Sequence, residues 1–166
     1  MTYIQDYKNY FADCYILTDN RTKAFIYFFL DQFLPDRAEV ADEYEIPQYS
    51  NSPTFVYKTA DTLINHLIEN KNDIHTIYWR NNSKTTIQSV MCFFTNSNQL
   101  IVGLSCQTKY PDTSIENKHF KDLQNFCNSD KGYIAYEEPA TQDTTEFLGR
   151  VEKYTLNPLQ LPLNIN

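Results

Sequence analysis

Three histidines, four cysteines, one adjacent pair of glutamates and one tryptophan–arginine pair are the residues of this chain that could support chemistry. His66, His75 and His119 share no i, i+3 or i+4 spacing, so the helical pattern that brings two imidazoles to one ion is absent. Cys106 could meet His75 as a thiol–imidazole couple. A nucleophile also needs a group to orient its base and donors for an oxyanion, and no local motif supplies either. Glu137 and Glu138 are consecutive, and consecutive strand residues point to opposite faces. They cannot act as acid and base on one bond without a third carboxylate from elsewhere, which no matching motif shows. Glycine occurs only at Gly103, Gly132 and Gly149. The chain therefore lacks a Gly-rich phosphate loop and a G-x-S-x-G elbow. The expectation is a protein that is not an enzyme and holds no metal or cofactor.

The string Tyr78-Trp79-Arg80-Asn81 has two readings. Trp, Tyr and Arg are the residue types that most often anchor protein interfaces, which makes Trp79 and Arg80 candidate contacts. Alternatively Trp79 is core and Arg80 forms an ion pair at the sheet rim with Glu137 or Glu138.

Charge narrows the choice of partner. With 21 Asp and Glu against 14 Lys and Arg, the formal charge is -7. Nucleic acid and anionic membranes need clustered Lys and Arg, so neither is an expected partner. A basic protein is a suitable one, because a negative field speeds the encounter. The acidic residues fall in two groups: Asp42, Glu43 and Glu45 in an extended stretch, and Glu137, Glu138, Asp143 and Glu146 at a strand end and the loop after it.

These residues must be positioned by a folded body. At 166 residues, with 13 Tyr and 11 Phe, the chain can bury a core as a single domain over 1–166. Cys14, Cys92, Cys106 and Cys127 lack C-x-x-C spacing and read as reduced core residues. Met1–Tyr10 has no apolar leader run, and a cytoplasmic location is expected. A strand is expected over Asp13–Thr18 and a helix over Arg21–Leu34, where Phe25, Phe28, Phe29 and Phe33 imply deep burial around most of the helix. Pro47 and Pro53 mark an edge segment, followed by a short strand at Thr54–Lys58. A helix starts near Thr59, with Leu63, Ile64, Leu67 and Ile68 on one face. Ile74–Arg80, Ile87–Thr95 and Leu100–Cys106 are β-rich, and the breaks between them are too short for parallel crossovers, so they predict an antiparallel meander. Gly103 suggests a bulge or close helix–sheet packing. Thr113 and Glu116 have capping-box spacing before a helix that buries Phe120, Leu123 and Cys127. A last strand follows at Tyr133–Glu137, and residues 155–166 read as an extended tail. The fold class is α+β: a mainly antiparallel sheet around a three-strand meander, with about three helices on one face.

Read in order, F-L-P-D-R from Phe33, D-E-Y-E-I-P-Q-Y from Asp42, Y-W-R-N from Tyr78, F-F-T-N from Phe93, L-I-V-G-L-S from Leu100 and Y-E-E-P from Tyr136 form a set. This set resembles a group of small bacterial proteins similar to the immunity proteins of polymorphic-toxin and contact-dependent inhibition systems. The resemblance spans Asp13 to Arg150. It implies an antitoxin that binds a cognate toxin domain and blocks its active site or substrate groove. Were that toxin a basic nuclease, acidic side chains would stand in for phosphate, and the contacts would be Asp42, Glu43, Glu45, Glu137, Glu138, Asp143 and Glu146. The alternative is a small-molecule-sensing or regulatory domain with a pocket between the aromatic helix and the meander. The oligomeric state is left open.

Overall fold

The computed structural model describes residues 10–156. Strand β1 is Phe11–Thr18, helix α1 is Lys23–Phe33, and the short strands β2, β3 and β4 are Arg37–Glu39, Tyr44–Ile46 and Phe55–Tyr57. Helix α2 is Ala60–Glu69. The strands β5, β6 and β7 are His75–Asn81, Ile87–Phe94 and Leu100–Gln107. Helix α3 is Ser114–Cys127, strand β8 is Gly132–Tyr136, and helix α4 is Thr144–Leu156. The larger sheet has six strands in the order β2-β5-β6-β7-β1-β8, every pairing antiparallel, while β3 and β4 form a separate hairpin. The expected meander β5-β6-β7 is present as the middle of a wider sheet, and the architecture is α+β.

Strand alternation splits the core in two. Cys14, Ile16, Ile77, Trp79, Val90, Cys92, Phe94, Val102 and Leu104 face α1, α2 and α3. Tyr15, Leu17, Met91, Phe93, Ile101 and Tyr133 face the other way and meet Phe147 and Tyr154 of α4. A fourth helix, and helices on both faces of the sheet, correct the expected architecture. Thr155 and Leu156 belong to α4, so the tail expected over 155–166 does not begin there; residues 157–166 lie outside the described residues.

Local chemistry accounts for the helix starts. Thr22 and Thr59 accept hydrogen bonds on Oγ1 from the backbone N–H of Phe25 and Thr62, both at 3.2 Å. The capping box expected at Thr113 does not form: Thr113 makes no side-chain cap bond, and Asp112 Oδ1 takes the Ser114 N–H at 2.9 Å. Glu116 is instead fully buried, with Tyr136 Oη donating to its Oε1 at 3.5 Å. On α3, Leu123 is buried, whereas Phe120 and Cys127 are only partly covered. The phenylalanines of α1 also divide. Phe25, Phe29 and Phe33 pack on Phe126 of α3 at centroid separations of 5.6, 6.4 and 5.5 Å, while Phe28 points outward and is 69% exposed. One helix turn presents about a third of its circumference to a neighbour, and Phe28 sits outside that arc.

Gly103 marks neither a bulge nor a helix contact. The bulge lies in β6, between Ile87 and Ser89. A Cβ on Gly103 would sit 2.7 Å from Tyr15 Cδ1 and 2.9 Å from Met91 Cγ, so the missing side chain lets Tyr15 lie flat across β7. Gly103→Ala is expected to lower unfolding stability by about 1–3 kcal/mol, the usual range for overpacking. Urea denaturation measures it, and an unchanged midpoint would show that Tyr15 and Met91 move aside freely. All four cysteines are free thiols, as expected. Among the described residues, no helix is long and apolar enough to cross a membrane.

Candidate functional site

Alternation along the paired strands places one polar row across the sheet face that carries α4. Arg80 pairs with Ser89, Ser89 with Ser105, and Ser105 with Asp13. Directly beside it runs a second row of Tyr78, Met91, Gly103, Tyr15 and Tyr133. Helix α4 covers the far part of this face and leaves the polar row open. Between them, Phe11, Asp13, Tyr15, Tyr78, Ser89, Met91, Ser105, Glu137 and Pro139 line a cavity of about 310 Å³.

The lip of this cavity is the chain leaving β8. Glu137 has a φ of 55°, in the left-handed region, and this turns the chain back over the sheet face. Tyr15 Oη then donates to the Glu138 carbonyl at 2.7 Å, and the Glu138 N–H donates to the Asp13 carboxylate. Tyr154 Oη donates to Glu138 Oε2 at 2.7 Å, and Arg150 Nη1 donates to the Pro139 carbonyl at 2.9 Å. The following loop crosses to β5, where Gln142 Nε2 donates to Thr76 Oγ1 at 2.8 Å and to Gln48 Oε1 at 3.2 Å. Gln48 in turn holds both backbone groups of Thr76, at 3.0 and 3.2 Å, and so continues the sheet edge with a side chain.

Asp13 is 9% exposed and has no ion-pair partner among the described residues. Burial pushes its carboxyl up to about 6. Hydrogen bonds from Ser105 and the Glu138 N–H pull it partly back, and the nearby Glu137 charge adds to the rise. Asp13 is the carboxylate beside Glu137 that sequence spacing could not supply. Its only sequence signal is a charged residue inside an otherwise apolar strand. Burial also pushes the Tyr15 and Tyr78 phenols up. Larger grooves lie between α1 and α3, about 620 Å³, and along β8, about 370 Å³. Their lining residues include no buried carboxylate or imidazole.

The residues singled out from sequence go to several places. Trp79 is 3% exposed and packed on the face that carries α1, α2 and α3, so it is core and not available as a partner contact. Arg80 is exposed on the cavity side and does not pair with Glu137 or Glu138, because β5 and β8 are separated by three strands. Glu138 lies 3.7 Å from Arg150, and Glu146 is 2.8 Å from it. Asp143 Oδ1 accepts the Glu146 N–H at 2.8 Å and so caps α4, while the Glu146 carboxylate accepts from Thr141 Oγ1 at 2.9 Å. The hairpin acids stand apart, at the opposite edge of the sheet from β8. Asp42 and Glu43 are exposed, Glu43 pairs with Lys58 at 2.5 Å, and Glu45 is half-buried. The two acidic groups are therefore separate surfaces.

His66 and His75 hold the hairpin. His66 Nδ1 meets Tyr57 Oη at 2.8 Å and Nε2 meets Asp73 Oδ2 at 2.6 Å. His75, fully buried, approaches the Thr76 and Glu45 carbonyls, each at 3.0 Å. A neutral imidazole carries one N–H and donates to one of these two at a time, and burial holds the His75 ring below its usual range. Cys106 lies at the other end of β7 from the row His75 shares with Phe94 and Leu100, so no thiol–imidazole couple is assembled. Among the described residues no group of three or more His, Cys, Asp or Glu could hold a metal ion. No protein-family model, curated protein or solved structure matches the chain, so a functional reading has to stand on its own residues.

Proposed function

We infer that this chain is a non-enzymatic binding protein of the immunity type, which neutralises a cognate toxin domain in the cytoplasm by occupying it. The observation that carries the reading is the surface built by residues 36–58. Val40, Phe55 and Val56 are exposed there, Tyr49 is 81% exposed, and Asp36, Asp42, Glu43 and Glu45 lie among them. Of the two bases in the stretch, Arg37 is paired with Asp31 and Lys58 with Glu43. Apolar anchors inside an acidic field fit a basic protein surface: the field steers the encounter and the anchors slow release. Asp143, which caps α4, and Glu146 and Glu138, which are held by Arg150, are engaged within the fold and contribute less to such a contact.

Co-production with a candidate toxin domain encoded by a neighbouring gene tests the reading. The parent chain is expected to bind that toxin and restore growth. Asp42→Lys with Glu43→Lys should slow association by about 10-fold or more at low salt, with a smaller effect at high salt. Absence of binding, or binding that the double reversal leaves unchanged, would sink it.

A further inference from the structure

The geometry points to the cavity over Asp13 as a binding site for a primary ammonium group on a short alkyl stem. This site lies apart from the hairpin surface and does not depend on the reading given to that surface. Asp13 sits at the floor and Glu137 at the lip, with the Ser89 and Ser105 side chains beside them. An ammonium group has three donors and no acceptor, and carboxylates with hydroxyls supply matching acceptors. Phe11, Tyr15, Tyr78, Met91 and Pro139 form walls suited to a methylene stem, and the aromatic rings favour a cation near their faces. A buried carboxylate is normally paired or neutralised. Here its donors are a hydroxyl and a backbone N–H, a second carboxylate stands near it, and no described cation approaches it.

Size and charge select the guest. A volume of about 310 Å³ is at the lower end for small-ligand sites and admits a stem of a few carbons. Arg80, exposed at the other end of the polar row, disfavours a second cation along that direction. The groups facing Asp13 are Glu137 beyond β8, Ser105 of β7, Ser89 of β6, and the phenols of Tyr15 and Tyr78. Glu137, Asp13 and Arg80 are charged on this side, and behind the lip Arg150 of α4 is held by the Pro139 carbonyl, Glu138 and Glu146. Binding requires the ionised Asp13 carboxylate, so it should weaken as the medium becomes acidic.

The test uses the full chain, n-butylamine as probe, and amide chemical shifts as readout. Saturable shifts are expected at Asp13, Ser105 and Glu137. They should be absent with n-butyrate and n-butanol. Affinity should be at least about tenfold weaker in Asp13→Asn and fall about tenfold per pH unit below 6. Glu137→Gln, at an exposed position, should weaken binding by a smaller factor. Shifts that fail to saturate, that appear equally with butyrate, or that persist unchanged in Asp13→Asn would overturn the assignment. Nα-acetyl-lysine N-methylamide separates two sources of the same chemistry. Tighter binding than n-butylamine indicates a lysine side chain of a protein, and equal or weaker binding indicates a free amine. None of these outcomes depends on whether the hairpin binds a toxin.

Discussion

Asp13→Asn is expected to make the protein more stable, by about 3 kcal/mol above pH 6. The Asp13 carboxyl is raised from 3.8 to about 6 by burial, so the folded state holds the proton more tightly than the unfolded chain does. Each unit of such a shift corresponds to about 1.4 kcal/mol. Asp13's own contribution to stability is greatest below about pH 4, declines as the pH climbs to about 6 and the buried carboxyl ionises, and is flat above that, while the buried His75 ring, held below its usual range, acts in the opposite direction on acidification. Asn is isosteric and never ionises. It can accept from the Glu138 N–H and donate to the Ser105 hydroxyl, so the variant keeps the fold without the cost of the charge. Glu116, fully buried and also pushed up by burial, contributes its own slope in the same direction. The variant should therefore lose only part of the pH dependence. Urea denaturation from pH 4 to 8 reads it out, and a variant less stable than the parent at pH 7 would contradict the account. A residue whose removal stabilises the fold, while it lines a cavity, has the signature of a position kept for binding.

Much of the fold was legible because periodicity and turn residues agree. The three β-rich runs of the meander appear within a residue or two of their expected bounds, and α2 begins directly after its Thr59 cap. The largest miss was α4. Asp143-Thr144-Thr145-Glu146 has the same cap-to-N3 spacing as Thr113-Ser114-Ile115-Glu116, and it is the former that caps its helix through a side chain. Placing Asp143 and Glu146 in a loop, as candidate partner contacts, hid the signal. Gly149, with open space where a Cβ would stand, also weakened the helical pattern of Phe147, Val151 and Tyr154. At Thr113–Glu116 the spacing was present but tertiary burial of Glu116 overrode it. The cavity was illegible for another reason. Arg80, Ser89, Ser105 and Asp13 come from four strands, and only register brings them into one row. Asp13 and Glu137 are far apart in the chain, and a strained residue with positive φ completes the approach.

Arg21→Met should be the most damaging of the substitutions considered, costing about 3–5 kcal/mol and lowering the melting temperature by about 10–15 °C. Sequence spacing marked Arg21 only as the start of a helix, yet it is 6% exposed. Its Nε and Nη2 donate to the Leu67 carbonyl at 3.2 and 2.7 Å, Nη1 to the Thr95 carbonyl at 2.9 Å, and Nη2 to the Asp73 carbonyl at 3.0 Å. The guanidinium carbon also lies 5.0 Å from the Phe94 ring centroid. One side chain thus satisfies carbonyls at the C-terminal end of α2, in the turn after it and at the end of β6, where a cation also meets the negative end of the helix dipole. Burial pushes the guanidinium down to about 10, which leaves it charged at neutral pH. Methionine fills the space but strands those carbonyls without donors. Arg21→Lys keeps the charge and loses the fork, so about half the cost is expected. Thermal and urea denaturation of the two variants decide it: Arg21→Met within 1 kcal/mol of the parent would refute the assignment. The consequence reaches the proposed interface through a short relay. Arg21 holds the backbone of Asp73, Asp73 holds His66, and His66 holds Tyr57 of the hairpin. Hydrogen exchange in Arg21→Lys should therefore rise at residues 55–57 as well as at the end of α2, while β8 and the lip over Asp13 stay protected.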